Sequence, residues 1–170
     1  MPDTSLGITY PSSTSHTRLW EHFQALAEDV DTILARKGYI AESKRATATG
    51  SITTTETVIQ SVTFTAVAGV RYKVTATQST QSTVAGDNPQ IRLRWAAGAS
   101  VTASGTELIS KLAVAAVVSK GEPVDLVDTF VPNVNGQVTV GVTLVRNAGT
   151  GNVSSFGDSR QVNTILIEGI

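Results

Sequence analysis

The side chains able to do chemistry are few and scattered. His16 and His22 stand six apart, which puts them on different faces of a helix, and neither has a second histidine or a carboxylate at metal-ligand spacing. Glu28, Asp29 and Asp31 form a carboxylate run, but Asp29 and Asp31 diverge around a helix, so the run reads as a solvated face. Asp125 and Asp128 flank Leu126-Val127 inside a strand pattern, with no further ligand identifiable, and read as an exposed strand face. Two glycine-rich stretches, Gly149-Thr150-Gly151-Asn152 and Gly157-Asp158-Ser159, have the composition of phosphate loops. Neither stands between a strand and a helix, the context that aims backbone N–H groups at an anion, so both are expected to be surface turns. Arg92 and Arg94 alternate on one strand and suit cross-strand pairing with Glu107 or Asp87; they would equally suit the lining of a groove for a sugar or an acid. Trp95 follows on the opposite face and reads as core. The G-x-S-x-G and H-E-x-x-H patterns do not occur, nor does an EF-hand loop. The chain has no cysteine, which excludes disulfides, thiolate metal sites and a cysteine nucleophile. No catalytic, cofactor-binding or metal-binding residue is assigned, and no enzyme is expected.

The elements that would position any site divide the chain in two. Residues 1–16 contain two prolines, Gly7 and several Ser/Thr, a composition that forms no regular structure alone, yet Leu6, Ile8, Tyr10 and Pro11 make an apolar-aromatic cluster. Such an arm either frays as a terminus or docks on another subunit. Residues 17–38 read as one amphipathic helix. Leu19, Phe23, Leu26, Val30 and Ile33 form one stripe, and Trp20, Phe23, Ala27, Val30 and Leu34 form an overlapping one. Ser15 or Thr17 suits the N-cap, Glu21 the positive end of the helix dipole, Arg36 and Lys37 its negative end, and Gly38 the left-handed closing position. A single helix needs a partner. Its face either packs on the chain's own sheet as a lid or joins a short parallel bundle, with three chains favoured. The helix is shorter than the heptad run that holds a coiled coil by itself, so a bundle would need help from the rest of the chain.

Residues 39–50 read as a linker and 51–170 as a β-domain. Strand patterns recur at Ser51–Val58, Ile59–Ala66, Val70–Thr77, Gln90–Ala96, Leu108–Val118, Val124–Val131, Gln137–Arg146 and Gln161–Glu168. The stretch Leu108–Val118 would also suit a short helix, but its β-branched ending favours a strand. Alternation is regular where Val70, Tyr72, Val74 and Ala76 oppose Arg71, Lys73 and Thr75. It is equally regular where Val138, Val140, Val142 and Leu144 oppose Thr139, Gly141 and Thr143. This predicts antiparallel sheets with one buried and one wet face. Turn residues, not helices, separate the strands, so βαβ units are excluded. The fold expected is mainly β: arm, helix, then a β-sandwich of about eight strands, jelly-roll-like rather than immunoglobulin-like.

Bulk properties limit the partners. The 170 residues carry a net charge of −1, with 16% charged and 41% apolar side chains. A core can form, and there is no electrostatic footprint for nucleic acid or an anionic membrane. No apolar run approaches the roughly 20 residues of a membrane helix, and the N-terminus has neither the basic nor the apolar region of a secretory signal.

Gly7-Ile8-Thr9-Tyr10-Pro11, followed by the run from His16 through Trp20-Glu21-His22-Phe23-Gln24-Ala25-Leu26-Ala27-Glu28 to Asp31, resembles the N-terminal segment of small virion proteins from tailed phages of actinobacteria. In that group a G-I-x-Y-P arm and a W-E-H-x-Q-A-L-A-E-x-V-D helix precede a Thr/Val-rich β-domain. Phe64-Thr65-Ala66-Val67-Ala68-Gly69-Val70-Arg71-Tyr72, Arg92-Leu93-Arg94-Trp95-Ala96-Ala97-Gly98 and the ending Asn163-Thr164-Ile165-Leu166-Ile167-Glu168 also resemble it. The resemblance implies a virion component assembled in the host cytoplasm and built as a symmetric oligomer, which with the bundle reading of the helix is expected to be a homotrimer. It implies a minor tail protein, or alternatively a head fibre or capsid decoration, without enzymatic activity or cofactor. In this reading Leu6, Ile8, Tyr10 and Pro11 form the anchoring arm. Leu19, Trp20, Phe23, Leu26, Val30, Ile33 and Leu34 form the oligomerisation helix. The β-domain is displayed outward, and a host-surface glycan is the further candidate partner. The motifs do not decide between head and tail.

Overall fold

A computed structural model describes residues 23–30 and 37–170. Residues 23–30 are helical, within the range expected. The compact unit from Tyr39 to Ile170 holds nine strands: β1 (Gly38–Arg45), β2 (Thr57–Ala66), β3 (Tyr72–Ser82), β4 (Asn88–Ala97), β5 (Thr106–Leu112), β6 (Glu122–Phe130), β7 (Gly136–Ala148), β8 (Val153–Phe156) and β9 (Asn163–Gly169).

They form two sheets, ordered β1-β9-β3-β6 with β8 also on β3, and β2-β7-β4-β5. The pairs of known register are antiparallel. The chain passes between sheets at most connections, and the facing orders 1-9-3-6 and 2-7-4-5 are those of a jelly roll. β9 and β8 share one side of β3, pairing with Tyr72–Thr77 and with Ser79–Ser82. The mainly-β sandwich expected from the alternation is therefore present.

The alternating apolar residues are the core. Val138, Val140, Val142 and Leu144 of β7 are fully buried, as are Ile91 and Leu93 of β4, Val74 and Ala76 of β3, and Ile165 and Ile167 of β9. Each such Val, Leu or Ile side chain contributes about 1.5–3 kcal/mol by leaving water. The core is graded along its length. At the end where β9 finishes, Tyr72 lies 5.0 Å from Phe64 and 5.9 Å from Phe130, ring centre to ring centre, and Trp95 lies 5.1 Å from Phe130. Toward the other end polar side chains join apolar ones such as Val124 and Val153 between the sheets. Gln78 Nε2 donates to Gln60 Oε1 (2.9 Å), Gln60 Nε2 donates to the Ser43 carbonyl (2.9 Å), and Asn163 Oδ1 accepts from the Ser79 amide (2.7 Å). These bonds satisfy groups whose burial would otherwise be costly, and they bind β1, β2, β3 and β9 together. Through Gln60, Ser43 near the end of β1 sits beside Asn163 at the start of β9. β1 therefore begins where β9 ends, and both termini of the sandwich lie at one end.

Several expectations are corrected. Residues 39–50, expected as a linker, begin with β1, an edge strand whose residues are mostly half-buried. The two strands expected at Ser51–Val58 and Ile59–Ala66 are one strand, β2, with a register shift between Val58 and Gln60; upstream of it only Ile52 makes a bridge, to Val153. The strand expected over Leu108–Val118 is β5, which ends at Leu112, after which the chain continues beside the start of β4, the Ala113 and Ala115 amides bonding the Pro89 and Asp87 carbonyls. Gly38 has φ +83°, the left-handed conformation expected of it.

The largest departure concerns β7. Thr139 and Thr143 face outward, yet both are buried, so this strand has no wet face. The β4–β5 connection folds back over the sheet and lays Val101 on Gly141; a Cβ at Gly141 would run into Val101 Cγ1 and come within 3.3 Å of the Gln60 carbonyl. Gly141→Ala is expected to lower stability by about 1–3 kcal/mol through overpacking, read as a shift in the denaturant midpoint. Gly141→Ala combined with Val101→Ala should recover part of that loss; no recovery would show that the loop is not what fills the space.

Candidate functional site

The sequence pointed to four candidates: the helix stripe, the arm, the arginine pair and the glycine-rich turns. Of the stripe, Phe23, Leu26 and Val30 are described, and they are 61%, 38% and 38% exposed. The helical turns around them are helped by an i,i+4 hydrogen bond from Gln24 Nε2 to Glu28 Oε1 (2.9 Å). Leu19, Trp20, Ile33 and Leu34 lie outside the described residues, as do Leu6, Ile8, Tyr10, Pro11, His16 and His22.

Arg92 and Arg94 are paired, on the outer face of the β2-β7-β4-β5 sheet. Arg92 Nε and Arg94 Nη2 reach Glu107 Oε2 at 3.3 and 3.2 Å, as the alternation allowed. The stronger partner is Glu56, which the sequence did not single out because it precedes β2 and lies 36 and 38 residues away. Arg94 Nε donates to Glu56 Oε1 (2.7 Å), Arg92 Nη1 donates to Oε2, and Thr143 Oγ1 donates to Oε1 (2.5 Å). Burial pushes the Glu56 carboxyl up, but the bonds from Arg94 and Thr143 and the two guanidinium charges outweigh it, and its pKa lies below the usual range. Arg94 Nη1 also donates to the Gly105 carbonyl (2.9 Å), and Arg92 Nη2 to Gln90 Oε1 (2.7 Å). Two cations, two anions and their hydrogen bonds are thus closed on one another and pin the covering segments to β7. This is a structural network, not a groove waiting for an anion.

Asp87 does not join it. It lies at the opposite end of β4 from Trp95, buried, where three connections meet. Its carboxylate accepts from Ser82 Oγ (2.5 Å), the Thr150 amide (3.0 Å) and the Gly151 amide (2.9 Å), while its carbonyl accepts from the Ala115 amide (2.9 Å). The turn at Gly149-Thr150-Gly151 therefore does bind an anion through its backbone, as its composition allowed, but the anion is the protein's own. A Cβ at Gly149 would collide with Asp87 Oδ1, and one at Gly151 would lie 2.5 Å from Oδ2, which accounts for both glycines. The bond from Ser82 leads in holding the Asp87 carboxyl below its ordinary pKa, with the two amides and Arg146 adding to it against the cost of burial.

The remaining candidates are local. Asp158 Oδ1 accepts from the amides of Arg160 and Gln161 (2.8 Å each), closing its own turn. Asp125 Oδ1 accepts from Thr77 Oγ1 (2.8 Å), and Asp128 Oδ1 from the Thr129 amide (2.7 Å). Among the described residues no three His, Cys, Asp or Glu side chains gather as a metal site, and no helix is long and apolar enough to cross a membrane. Phe64, Tyr72 and Phe130 are buried and Trp95 packs against them, so these rings offer no open stacking platform.

The sequence matches no family model and no curated protein. Among solved structures it is similar to the C-terminal domain of EclA, a sugar-binding protein, at 17% identity, with 76% of this chain and 78% of that one covered and a TM-score of 0.44. It is also similar to infectious bursal disease virus VP2 in a subviral particle (7% identity, 77% and 37% covered, TM-score 0.42). A third is TmCBM61 in complex with beta-1,4-galactotriose (14% identity, 65% and 61% covered, TM-score 0.33). At such identity and overlap, what those proteins bind or build is said of them alone.

Because the Asp87 pKa is depressed on folding, its stabilisation is present above the ordinary carboxylate pKa of about 4 and is lost as pH falls through the lower, folded value. Asp87→Asn should therefore lower Tm at pH 7, with the gap from the unmodified protein closing as pH is taken below about 4. A gap independent of pH would show that shape, not charge, sets the role of Asp87.

Proposed function

We propose that this chain is a non-enzymatic structural protein of a phage virion, a trimeric appendage of minor-tail or fibre type. Its N-terminal arm and helix hold it in the assembly, and its jelly roll is displayed outward. The observation that carries this reading is the pairing of an amphipathic helix with exposed Phe23, Leu26 and Val30 and a sandwich whose own core is complete. A helix this short is marginal in water by itself, and an apolar stripe left open to solvent marks a surface for other chains. Joining copies through that stripe supplies the burial the isolated helix lacks.

The jelly roll supports the display role. Both of its termini lie at one end, so the opposite end, where Asp87 fastens three connections, is free to face outward. The arm, with Leu6, Ile8, Tyr10 and Pro11, is the attachment segment in this reading, as the N-terminal resemblance implies. Capsid decoration or a head-fibre role uses the same architecture and is the alternative placement. A glycan-binding role finds less support, because Tyr72 and Trp95 are turned to the core.

Antibody labelling of purified particles tests the proposal. The full-length protein should label a fixed site on the virion, and deletion of Met1 to Ser15 should leave the sandwich folded by circular dichroism while removing the label. A protein absent from particles overturns the virion reading. A truncated chain that still decorates them shows that the arm is not the anchor.

A further inference from the structure

The sandwich has an open groove between two strand edges, with apolar and charged side chains in its walls. β5 is the last strand of its sheet and β6 the last of the other, so both have one edge without a neighbouring strand. At one point Lys111 closes the gap by donating its Nζ to the Asp125 carbonyl. Beyond Lys111 the groove opens to about 380 Å³, with Leu112, Val114, Pro123 and Val124 in its walls beside Glu122 and Asp125. Leu112 and Val114 are 60% and 59% exposed, unusual for such side chains on an ordered strand extension.

The backbone there is also available. The amides of Ala113 and Ala115 donate to the carbonyls of Pro89 and Asp87, both at 2.9 Å. In an antiparallel ladder the alternate residues turn their N–H and C=O groups the other way, so those of Leu112 and Val114 point to the open side. Pro123 on the facing edge has no N–H to offer. An extended peptide laid along Leu112–Val114 would gain main-chain bonds from one wall and apolar contact from both, the mode by which strands are added to sheet edges.

The chain contains a segment with the matching pattern. Leu6, Ile8 and Tyr10 recur with period two, so an extended backbone places all three on one face and Gly7 and Thr9 on the other. No residue from Thr4 to Ser15 is charged, and Pro11 ends the run. Residues 1–16 span up to about 50 Å when extended, more than the roughly 43 Å of the thirteen-residue β7. That reach exceeds the length of the longest strand of the sandwich.

We propose that the β5–β6 groove of one copy receives residues 6–10 of a second copy as a short added strand, with Leu6, Ile8 and Tyr10 turned toward Leu112, Val114 and Pro123. This rests on the virion reading above and names the partner of the arm: another copy of the same chain. Each subunit would then hold its neighbour through the arm as well as through the helix, and the exposed apolar edge would be covered in the assembly.

The absence of native cysteines makes the test direct. The full-length chain carrying Ile8→Cys and Val114→Cys, oxidised under mild conditions, should run as a covalent multimer on a non-reducing gel and collapse to a single chain on reduction. The pair Ile8→Cys and Val131→Cys, with Val131 also exposed but at the far end of β6, should remain uncrosslinked. An intrachain bridge, no bridge, or equal crosslinking at Val131 overturns the proposal. Light scattering on the same samples separates it from the reading beneath it: a multimer without the Val114 crosslink refutes the groove alone, and a monomer refutes both.

Discussion

β7 has water on neither side, and the rest of the sandwich is arranged around that constraint. Its inward face supplies Val138, Val140, Val142 and Leu144 to the core, as a central strand should. Its outward face carries Thr139, Gly141 and Thr143, residues too small to cover themselves. The chain covers them from both sides. Val101 in the β4–β5 connection seats on Gly141, and Glu56, ahead of β2, bonds Thr143 while gathering Arg92 and Arg94. Removing one partner from such a closed set leaves the others buried and unpaired, which costs more than forming the pair contributes. The arginine pair thus belongs to stability, and its apparent fitness for binding an anion is already used inside the molecule.

The same logic holds at the Asp87 end. Connections from three parts of the sequence meet there, and a single carboxylate satisfies two turn amides and a serine hydroxyl. These bonds fix the connections beside the buried Ile52 and Val153, which carry the apolar core to that end. The core is graded, aromatic near the termini and with polar groups at Gln60, Gln78 and Asn163.

Strands with period-two alternation were legible in the sequence: Ile91 and Leu93, Val74 and Ala76, and the β7 series all bury as their spacing dictates. β1 was not, because Gly-Tyr-Ile-Ala-Glu-Ser-Lys-Arg mixes polar and apolar residues as an edge strand is free to do. β8 escaped as well, since Val-Ser-Ser-Phe is four residues long and takes its place only by pairing with the end of β3. The arginine pairing to Glu107 was readable because both lie on neighbouring strands. Glu56 and Asp87 were not, because their partners come from distant parts of the chain and no local pattern joins them. The glycines at 149 and 151 were the one signal, as they mark a backbone that approaches a carboxylate closely. The wet face expected of β7 failed because alternation reports which residues face out, not whether a loop lies over them.

The sandwich has a core of its own, and in the proposed role the helix is covered by other copies of the chain. The solution mass of the full-length chain, measured by light scattering beside a variant carrying Phe23→Asp and Leu26→Asp, tests that role. The unmodified chain should be a trimer and the variant a monomer, with the β circular-dichroism signal unchanged between them. A full-length chain that is monomeric at micromolar concentration, or a variant that stays trimeric, contradicts that role.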